Sequence, residues 1–491
     1  MSSSYIGRSV DAINNISTLD NLSFNGSLQT FNLTQNSVAF VPVSADALQI
    51  QIDGVIQSGN YTVSGSTVTF DFTPSGSSVC NGIRHYGVGL LTTVSDSSIT
   101  TAKLGADAVT TAKINDGAVT SGKIASGVIP TSRPNVSPLI INGDMAVAQR
   151  SANATGLGGG SGYKSLDRYY STFFYSSSNV GTFTQSQSTD VPTGYGFRNS
   201  FKTDCTTAQT SLPASGQINV RYTVEAQDLN PFKFGTANAE KMTLAFWVKS
   251  NLTGTYNVSL YNQDGGSTPQ VNSQYSISSA NTWEKKVLVF PADTTNGFAD
   301  DNGPGLSIDW IMGTGSTYTG GTAPTTWSSF VNNTYNGGST VNMASSTSNE
   351  WLITGIQLEV GEYTSSTIPP FQHESFGDNL ARCQRYFQMR AEGNQKIISI
   401  AHWGSSNEVD FIMQIPFMRT RPSVEYTTGN EYWAIGGGGS TNTLDNLNMN
   451  SWSTEMNINL WTTTGAGGTT GFAYYGYSNN ASAKLGFTAE L

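Results

Sequence analysis

The first candidates for chemistry in this sequence are carboxylate side chains that can work as a pair. Hydrolysis of a glycosidic bond needs two carboxyl groups held about 5–10 Å apart. The candidates are Asp300, Asp301, Asp309, Glu359 and Glu362. The run Asp300-Asp301-Asn302-Gly303 has the composition of a turn. The sequence lacks GxSxG, HExxH and P-loop patterns, and no histidine lies beside a plausible nucleophile, so it predicts no catalytic centre.

Aromatic side chains among amides and hydroxyls suggest a second kind of chemistry, the binding of sugars. The apolar face of a sugar stacks on an aromatic ring, and its hydroxyl groups bond to amides and hydroxyls. The candidates are Trp403, Tyr432, Trp433, Trp452 and Trp461 near the C-terminus, and Tyr318, Trp327 and Tyr335 in a Gly/Thr-rich stretch. Core packing is the alternative for each ring, and Trp310, in step with Leu306 and Ile308, is predicted to be buried.

Cysteine and histidine offer no third kind of site. The cysteines, Cys80, Cys205 and Cys383, are far apart and odd in number, and the three histidines are isolated. The sequence therefore predicts no disulfide framework, no cysteine-based metal site and no cofactor.

The composition limits the class of protein. Of 491 residues, 12% are charged, 11% are aromatic and 52 are glycine. This composition favours short strands and turns under a neutral polar surface, and the aromatic content argues against disorder. The net charge is −10 with no visible basic patch, so neither nucleic acid nor an anionic membrane is expected as a partner.

The chain shows no signal peptide and no apolar stretch long enough to insert into a membrane. An extracellular type of composition without an export signal predicts a protein made in a host cytoplasm and released by lysis, as virion components are.

A ten-residue repeat, DSSITTAKLG, ADAVTTAKIN, DGAVTSGKIA, SGVIP, occupies most of residues 96–134. Its large apolar residues stand five apart: Ile99, Leu104, Val109, Ile114, Val119, Ile124 and Ile129. A step of five turns a helical side chain by about 140° and reverses the face of a strand, so neither element buries them alone. The repeat predicts a thin shaft in which copies of the chain, preferably three, wind together. A flexible linker is the alternative.

The stretches before the repeat read as an anchor and a small β domain. Residues 1–25 are either a disordered terminus or an anchor peptide that orders on a partner through Tyr5, Ile6 and Arg8. Residues 26–95 alternate apolar and polar residues, as in LQIQI, and Asp53-Gly54 is a hairpin turn signal.

After the repeat, residues 135–370 contain many alternating runs without helical segments between them, which predicts an antiparallel sandwich of the jelly-roll type. The predicted inner faces are Met242, Leu244, Phe246 and Val248; Leu306, Ile308, Trp310 and Met312; and Leu352, Thr354, Ile356, Leu358 and Val360. In residues 371–491 a short helix, Asp378 to Arg390 with Asp378 as N-cap, precedes a C-terminal β knob.

Three parts of the chain resemble phage tail proteins. The run FNGSLQTFNLTQNSVAFVPVSADALQIQIDGVIQSGNYTVSGSTVTF, with the repeat after it, resembles the N-terminal virion-attachment domain of tail fibres of short-tailed phages. The order LIINGD, AEKMTLAFWVKSNLTGTYNVSLYN, NTWEKKVLVFP, GIQLEVG resembles sandwich domains of phage tail proteins, which are similar to carbohydrate-binding modules. PFQHESFGDNLARCQRYFQ resembles the junction that follows such sandwiches, and the chain end is similar to the terminal knob of trimeric fibres.

The resemblance implies a homotrimeric tail fibre of the virion. Its N-terminus would dock on a tail or adaptor protein, and its two distal β regions would adhere to host surface polysaccharide without catalysis. It also implies a structural Ca²⁺ near the first and last strands of the sandwich, where Asp144 and Glu359 stand. A purely structural connector or capsid fibre and a polysaccharide depolymerase tailspike remain as alternatives.

Overall fold

The computed structural model describes residues 16–86, 90–91, 104–105, 108–110, 113–114, 119, 137–174, 180–429, 431–437, 440–444, 446–463 and 469–491. These residues form a mainly β protein, which confirms the predicted fold class. The chain divides into two compact units, Met1–Val128 and Ile129–Leu491. In the described part of the chain, none of the helices has the length and hydropathy needed to span a bilayer.

The first unit contains small antiparallel sheets around one core. Its strands are β1 Ile16–Leu19, β2 Thr30–Asn32, β3 Thr34–Gln35, β4 Val38–Val41, β5 Leu48–Ile52, β6 Val55–Gln57, β7 Tyr61–Ser64, β8 Thr67–Phe70, β9 Cys80–Tyr86 and β10 Leu90–Leu91. They pair in the orders β1-β9-β5-β6, β10-β4-β3 and β2-β8-β7. The predicted alternation in β5 is confirmed, because Leu48, Ile50 and Ile52 are buried. Asp53 and Gly54 both have positive φ, as a tight hairpin turn requires.

The repeat contributes four of its predicted apolar residues to the described part of the chain. Leu104, Val109, Ile114 and Val119 are between 41% and 56% exposed in the single chain. The other predicted contact residues lie outside the described residues, namely Ile99, Ile124 and Ile129 of the shaft and Tyr5, Ile6 and Arg8 of the anchor. One copy of the chain therefore leaves the described apolar residues of the repeat in contact with water.

The second unit begins with the β-sandwich. Its strands are β11 Asn153–Leu157, β12 Gly160–Tyr163, β13 Tyr169–Phe174, β14 Thr182–Ser188, β15 Ser200–Thr207, β16 Gln217–Glu225, β17 Met242–Ser250, β18 Gly254–Asn262, β19 Pro269–Ile277, β20 Glu284–Phe290, β21 Pro304–Thr314, β22 Ser328–Ser329 and β23 Glu350–Val360. One sheet has the order β11-β14-β15-β23-β17-β20 and the other β12-β13-β16-β21-β18-β19-β22. Inward residues of both sheets form one core, including the predicted faces of β17 and β21 and the buried Trp310.

Strand β23 departs from the predicted alternation. Its core residues are Trp351 and Ile353 in the first half and Ile356 and Leu358 in the second. The prediction that Leu352 and Thr354 share the inner face is wrong, because the pairing with β17 shifts register between residues 354 and 357. Gly355 has a φ of +64° at this bulge, and a Cβ there would lie 2.6 Å from the Phe197 ring. An extra residue in one strand reverses the face of all that follow.

The rest of the second unit is a helix followed by a second β region. The helix is α1 Phe376–Gln384, and the strands are β24 Phe387–Glu392, β25 Ile397–Trp403, β26 Glu408–Gln414, β27 Ser423–Tyr426, β28 Trp433–Gly437, β29 Ser440–Leu444, β30 Asn448–Met449, β31 Asn457–Thr463, β32 Ala473–Ser478 and β33 Lys484–Thr488. The sheets have the orders β24-β33-β27 and β29-β28-β32-β25-β26-β31-β30. A separate apolar core lies between them.

The predicted helix exists, but it is shorter and begins earlier than expected. Its N-cap is Ser375, whose Oγ accepts from the Asp378 N–H, so the prediction of Asp378 as N-cap is wrong. The Asp378 carboxylate instead accepts from the Ser375 hydroxyl at 2.6 Å. The helix ends at Gln384, and Phe387 belongs to β24, where it is also buried. The burial of Phe387 is therefore compatible both with the predicted helix and with the observed strand.

The segment after residue 137 joins the sandwich to the C-terminal region. The amide of Asn142 donates to the carbonyls of Val147 and Asp167, and its Oδ1 accepts from the Val147 N–H. The next position, 143, requires glycine, because a Cβ at Gly143 would lie 2.3 Å from the Ile356 carbonyl oxygen. Ile141 and Val147 then form a buried cluster with Cys383 and Tyr386. This packing connects the two β regions of the second unit.

The buried carboxyl group of Asp167 makes the stability of this junction depend on pH. Its side chain is buried and accepts from the Gln149 N–H at 2.7 Å, and burial raises its pKa from the ordinary value of 3.8 to about 6. The folded protein therefore holds this proton more tightly than the unfolded chain does. We expect the contribution of Asp167 to stability to rise by about 2 kcal/mol between pH 7 and pH 4.5.

The measurement is the free energy of unfolding in urea at both pH values, for the wild type and for Asp167→Asn. The asparagine has no proton to gain, so the wild type should improve on the variant as the pH falls. A difference between the two proteins that is constant with pH would show that this carboxyl has an ordinary pKa.

Candidate functional site

The seven-stranded sheet of the sandwich has a polar outer face. Its apolar residues point into the core, and the alternate positions point outward. The register places Arg221 of β16 opposite Asp309 of β21, and Asp309 opposite Ser259 of β18. Ser259 in turn pairs with Asn272 of β19. A row of polar side chains therefore crosses the middle of this face.

Arg221 and Asp309 form the central pair of this row. The guanidinium binds the carboxylate through Nε–Oδ1 at 2.6 Å and Nη2–Oδ2 at 2.8 Å, and the Tyr335 hydroxyl donates to Oδ2 at 2.8 Å. The Asp309 charge holds the pKa of Arg221 well above its usual range. The Asp309 side chain is fully buried, whereas the Arg221 side chain is 35% exposed. Its Nη1 makes no hydrogen bond to the described residues, so a fixed cation keeps free donors towards solvent.

Aromatic rings form a wall beside this arginine. The Arg221 guanidinium carbon lies 5.7 Å from the centre of the Tyr261 ring, and the Phe330 ring centre lies 5.5 Å from that of Tyr261. Phe330 is exposed, whereas Tyr261 is buried. The rings border an open cleft of about 420 Å³, whose lining also includes Gln217, Gln263 and Tyr335. An exposed ring thus lines the same cleft as amide and guanidinium donors.

Buried amides on the same face lack hydrogen-bond partners among the described residues. Asn219 stands between Gln217 and Arg221 on the outer side of β16, and both polar atoms of its side chain are unpaired although it is only 1% exposed. Gln270 Oε1 and Asn257 Oδ1 are also unpaired. These atoms are almost inaccessible in the single chain, and an unpaired buried amide costs free energy.

A long loop covers the other half of this face. The Tyr335 carbonyl accepts from the Asn272 amide at 2.7 Å, and the Gly337 carbonyl accepts from the Gln274 amide at 2.9 Å. A second cleft of about 570 Å³ lies here, lined by Asn272, Gln274, Gly338 and other small or polar residues, none of them aromatic. It offers hydrogen bonds but no ring for stacking, so the first cleft fits a sugar better.

The aromatic residues proposed from the sequence fall into three groups. Trp452 is 78% exposed, Tyr432 and Trp461 are half-buried on the C-terminal region, and Trp403 and Trp433 are buried in its core. The prediction that Trp403 and Trp433 stack on a ligand is corrected, because neither ring face is accessible.

The candidates in the sandwich are partly used by the fold. Trp327 donates its indole N–H to the Pro291 carbonyl at 2.7 Å and packs against the core. Tyr318 packs edge-on against Tyr335. Tyr335 is buried, contrary to the prediction that it lies on the surface. The residues that sequence reasoning missed are Arg221, Tyr261 and Phe330. For Arg221 and Tyr261 the signal was the outward half of the alternation in QINVRYTVE and YNVSLYN, opposite the inward apolar residues, whereas Phe330 lies outside these strands.

The carboxylates considered for catalysis lie in separate environments. Asp301 Oδ1 accepts from the Gly303 N–H at 2.8 Å, which confirms the predicted turn. Glu362 pairs with Lys241 on the surface, and Asp309 is buried against Arg221. Asp301, Glu362 and Asp309 thus each have a partner in the fold.

The residues proposed for Ca²⁺ do not form a recognisable site. Asp144 accepts from the Asn379 amide at 3.0 Å, and burial raises its pKa. Glu359 is half-buried on β23 and has its own interaction partner. Among the residues described here, no group of three or more His, Cys, Asp or Glu residues is arranged to hold a metal ion.

Comparisons place these features beside known proteins. No protein-family model matches the chain, and no curated protein matches its sequence. Similar solved structures include the enzymatically active domain of tailspike protein 4 of bacteriophage CBA120, at 15% identity and a TM-score of 0.23, over 45% of this chain and 21% of that one. A putative sugar-binding protein from Bacteroides thetaiotaomicron is 11% identical with a TM-score of 0.26, over 46% of this chain and 100% of that one.

A tandem carbohydrate-binding module from Paenibacillus barcinonensis Xyn10C is 10% identical with a TM-score of 0.22, over 70% of this chain and 99% of that one. The solved structures that resemble this chain thus include a phage tailspike domain and carbohydrate-binding modules.

Proposed function

We propose that this chain is a glycan-binding protein and that the cleft at Arg221 holds the sugar. The observation that supports the proposal is an exposed aromatic ring, Phe330, in the same cleft as a fixed cation, Arg221, and the amides of Gln217 and Gln263. A sugar ring can place its apolar face on Phe330 while its hydroxyl groups accept from Arg221 Nη1 and bond to Gln217 and Gln263. The described lining of this cleft contains no pair of carboxylates, and the role we propose for it is adhesion.

The repeat supports a proposal about assembly, namely a homotrimer. Leu104, Val109, Ile114 and Val119 are exposed in one copy, at a spacing that no single helix or strand can bury. Neighbouring copies on one axis would remove these residues from water. Three copies also multiply a weak sugar contact, because the second and third sites bind at high effective concentration.

An exposed sheet face in the C-terminal region fits the same assembly. On this face Ile400 lies opposite both Ile412 and Tyr475, and all three are at least 60% exposed. A contiguous apolar patch on a soluble chain indicates a protein contact. Because the exposed residues of the repeat already indicate contacts between copies of the chain, we propose that this patch also contacts a neighbouring copy.

The particular role we propose is that of a phage tail fibre. In this proposal Tyr5, Ile6 and Arg8 dock on a tail or adaptor protein, the protein resides in the virion tail, and the sandwich meets host surface polysaccharide. A purely structural connector is the competing role, and it predicts that the folded protein binds no glycan.

The first test is Phe330→Ala in the full chain, after a glycan array has identified a ligand. Losing the exposed ring should weaken binding about tenfold, because aromatic stacking contributes roughly 1 kcal/mol or slightly more. Isothermal titration calorimetry with that glycan gives the affinity, and circular dichroism should be unchanged because Phe330 is on the surface.

Trp452→Ala is the matched control, since it removes a ring that is 78% exposed on the C-terminal region. Unchanged affinity in Trp452→Ala, together with weaker binding in Phe330→Ala, would support a sugar site in the sandwich. The reverse pattern, with loss in Trp452→Ala alone, would move the site to the C-terminal region. Repeated failure to bind any glycan favours the structural connector.

A further inference from the structure

A third cleft, of about 630 Å³, lies where the sandwich meets the C-terminal strands of the same compact unit. Arg150 and Lys164 line it from the sandwich side, and Arg419 and Arg421 line it from the segment before β27. These cations are up to 271 positions apart, so the sequence itself shows no basic patch. The fold brings them together on a chain of net charge −10.

Three of these cations have no carboxylate partner among the described residues. The Arg419 guanidinium donates only to backbone carbonyls, including those of Ala489 at 2.8 Å and Glu490 at 3.0 Å. Arg421 donates to the Asn450 carbonyl at 3.0 Å. Lys164 makes no ion pair with the described residues. Carbonyl oxygens orient a guanidinium but leave its full charge uncompensated, so the cleft carries excess positive charge.

The nearby carboxylates are already engaged. Glu490 is bound by Arg150 at 3.1 Å and by Arg168 at 2.6 Å, so two cations share one anion. Glu425, whose side chain is half-exposed, meets Arg150 at 3.3 Å. Neither carboxylate contacts Lys164, Arg419 or Arg421 within ion-pair distance. The two acids also disfavour a long polyanion such as nucleic acid, which would run across them.

We propose that this cleft binds an anionic group, a carboxylate or a phosphate, carried by a saccharide. The proposal rests on the glycan-binding function proposed above and adds a second subsite with a defined charge preference. Arg419 is held rigid by backbone carbonyls and presents a fixed charge, while Lys164 and the exposed Arg421 close on the anion from the rim. The threonine and serine hydroxyls of the lining, at Thr420 and Ser423, suit the hydroxyl groups next to it.

Calorimetry with the full chain compares three probes. They are a hexuronate oligosaccharide, a hexose phosphate, and a neutral hexose oligosaccharide of the same length as the hexuronate oligosaccharide. We expect at least one anionic probe to bind more tightly than the neutral one, and to weaken as salt is raised. The double variant Lys164→Gln with Arg421→Gln should lose roughly 10- to 100-fold in affinity for that probe. Neither side chain has an ion pair to lose, so folding should be unaffected.

The matched control is Lys233→Gln with Lys241→Gln, which removes the same charge from surface ion pairs elsewhere on the sandwich. Equal loss in both double variants would reduce the effect to net charge and overturn the site. Equal binding of anionic and neutral probes would overturn it as well. Phe330→Ala separates the two proposals: if it weakens neutral glycan binding about tenfold while the anionic probes never bind, the first cleft stands and this one fails.

Discussion

Replacing Val109 and Ile114 together with aspartate should convert the assembled protein into single chains. Both side chains are exposed in one copy and belong to none of the described apolar cores, so the two compact units keep their own packing. In a shaft of wound copies the same positions are apolar contacts. Burying unpaired carboxylates there costs several kcal/mol per site, more than such contacts supply.

Sedimentation velocity measures the result directly. The wild type should sediment with three times the 52.3 kDa chain mass, and the variant with one. Binding to a glycan-coated surface should fall by a factor of about 10² or more, because the avidity of linked copies is lost. The affinity of each chain for a soluble glycan should not change.

Thr110→Asp is the control for added charge in the repeat, because it places the same group in an adjacent polar position. It should stay trimeric. A trimeric double variant would show that the repeat does not hold the copies together. A wild type that sediments as a single folded chain would remove the trimer from the proposed function.

The alternation of apolar residues predicted most of the fold. In β17 and β21 every second residue enters the core, because one face of each strand packs on the opposite sheet. Trp310 was predictable for the same reason, since it shares a face with Leu306 and Ile308. A periodic pattern reports burial directly, so fold class and core follow from it.

What the pattern could not report is a local change of geometry. The bulge at Gly355 reverses the face of β23 without altering its composition. The end of α1 at Gln384 has a similar cause, since Phe387 is buried whether the chain continues as helix or turns into β24. Both depend on contacts with other segments, which a single sequence does not contain.

The candidate site was hidden for a related reason. Trp403 and Trp433 look like binding residues by type, yet they fill the C-terminal core. Arg221, Asp309 and Phe330 lie far apart in the sequence, and only strand register and a returning loop bring them together. Residue type suggested sugar binding, but strand register decides which side chains line the proposed cleft.

Glu490→Gln should lower the free energy of unfolding by about 3–5 kcal/mol, the usual cost of removing one partner from a buried ion pair. The Glu490 side chain is 5% exposed and the Arg168 side chain 1%, with Nη1–Oε2 at 2.6 Å. Arg168 also lies 3.4 Å over the Tyr386 ring and donates to the Thr223 carbonyl. Glutamine keeps the size of the side chain but leaves this buried guanidinium without a charged partner.

Urea unfolding at pH 7 measures the loss, and Glu362→Gln provides the control. Glu362 pairs with Lys241 on the surface, where both side chains are about half-exposed, so its loss should cost at most about 1 kcal/mol. Equal small effects of the two substitutions would show that Glu490 is screened by solvent and that the junction is looser than its geometry indicates.

A double-mutant cycle with Asp167 sharpens this prediction. Burial is the main cause of the raised pKa of Asp167, and the charge of Glu490 adds to it. Without Glu490 that repulsion disappears and the pKa of Asp167 falls, so its carboxylate supplies more negative charge near Arg150. Asp167→Asn should therefore cost more stability in the Glu490→Gln background than in the wild type. Additive effects would mean that the two carboxylates act independently, and that the cations of this junction are neutralised elsewhere.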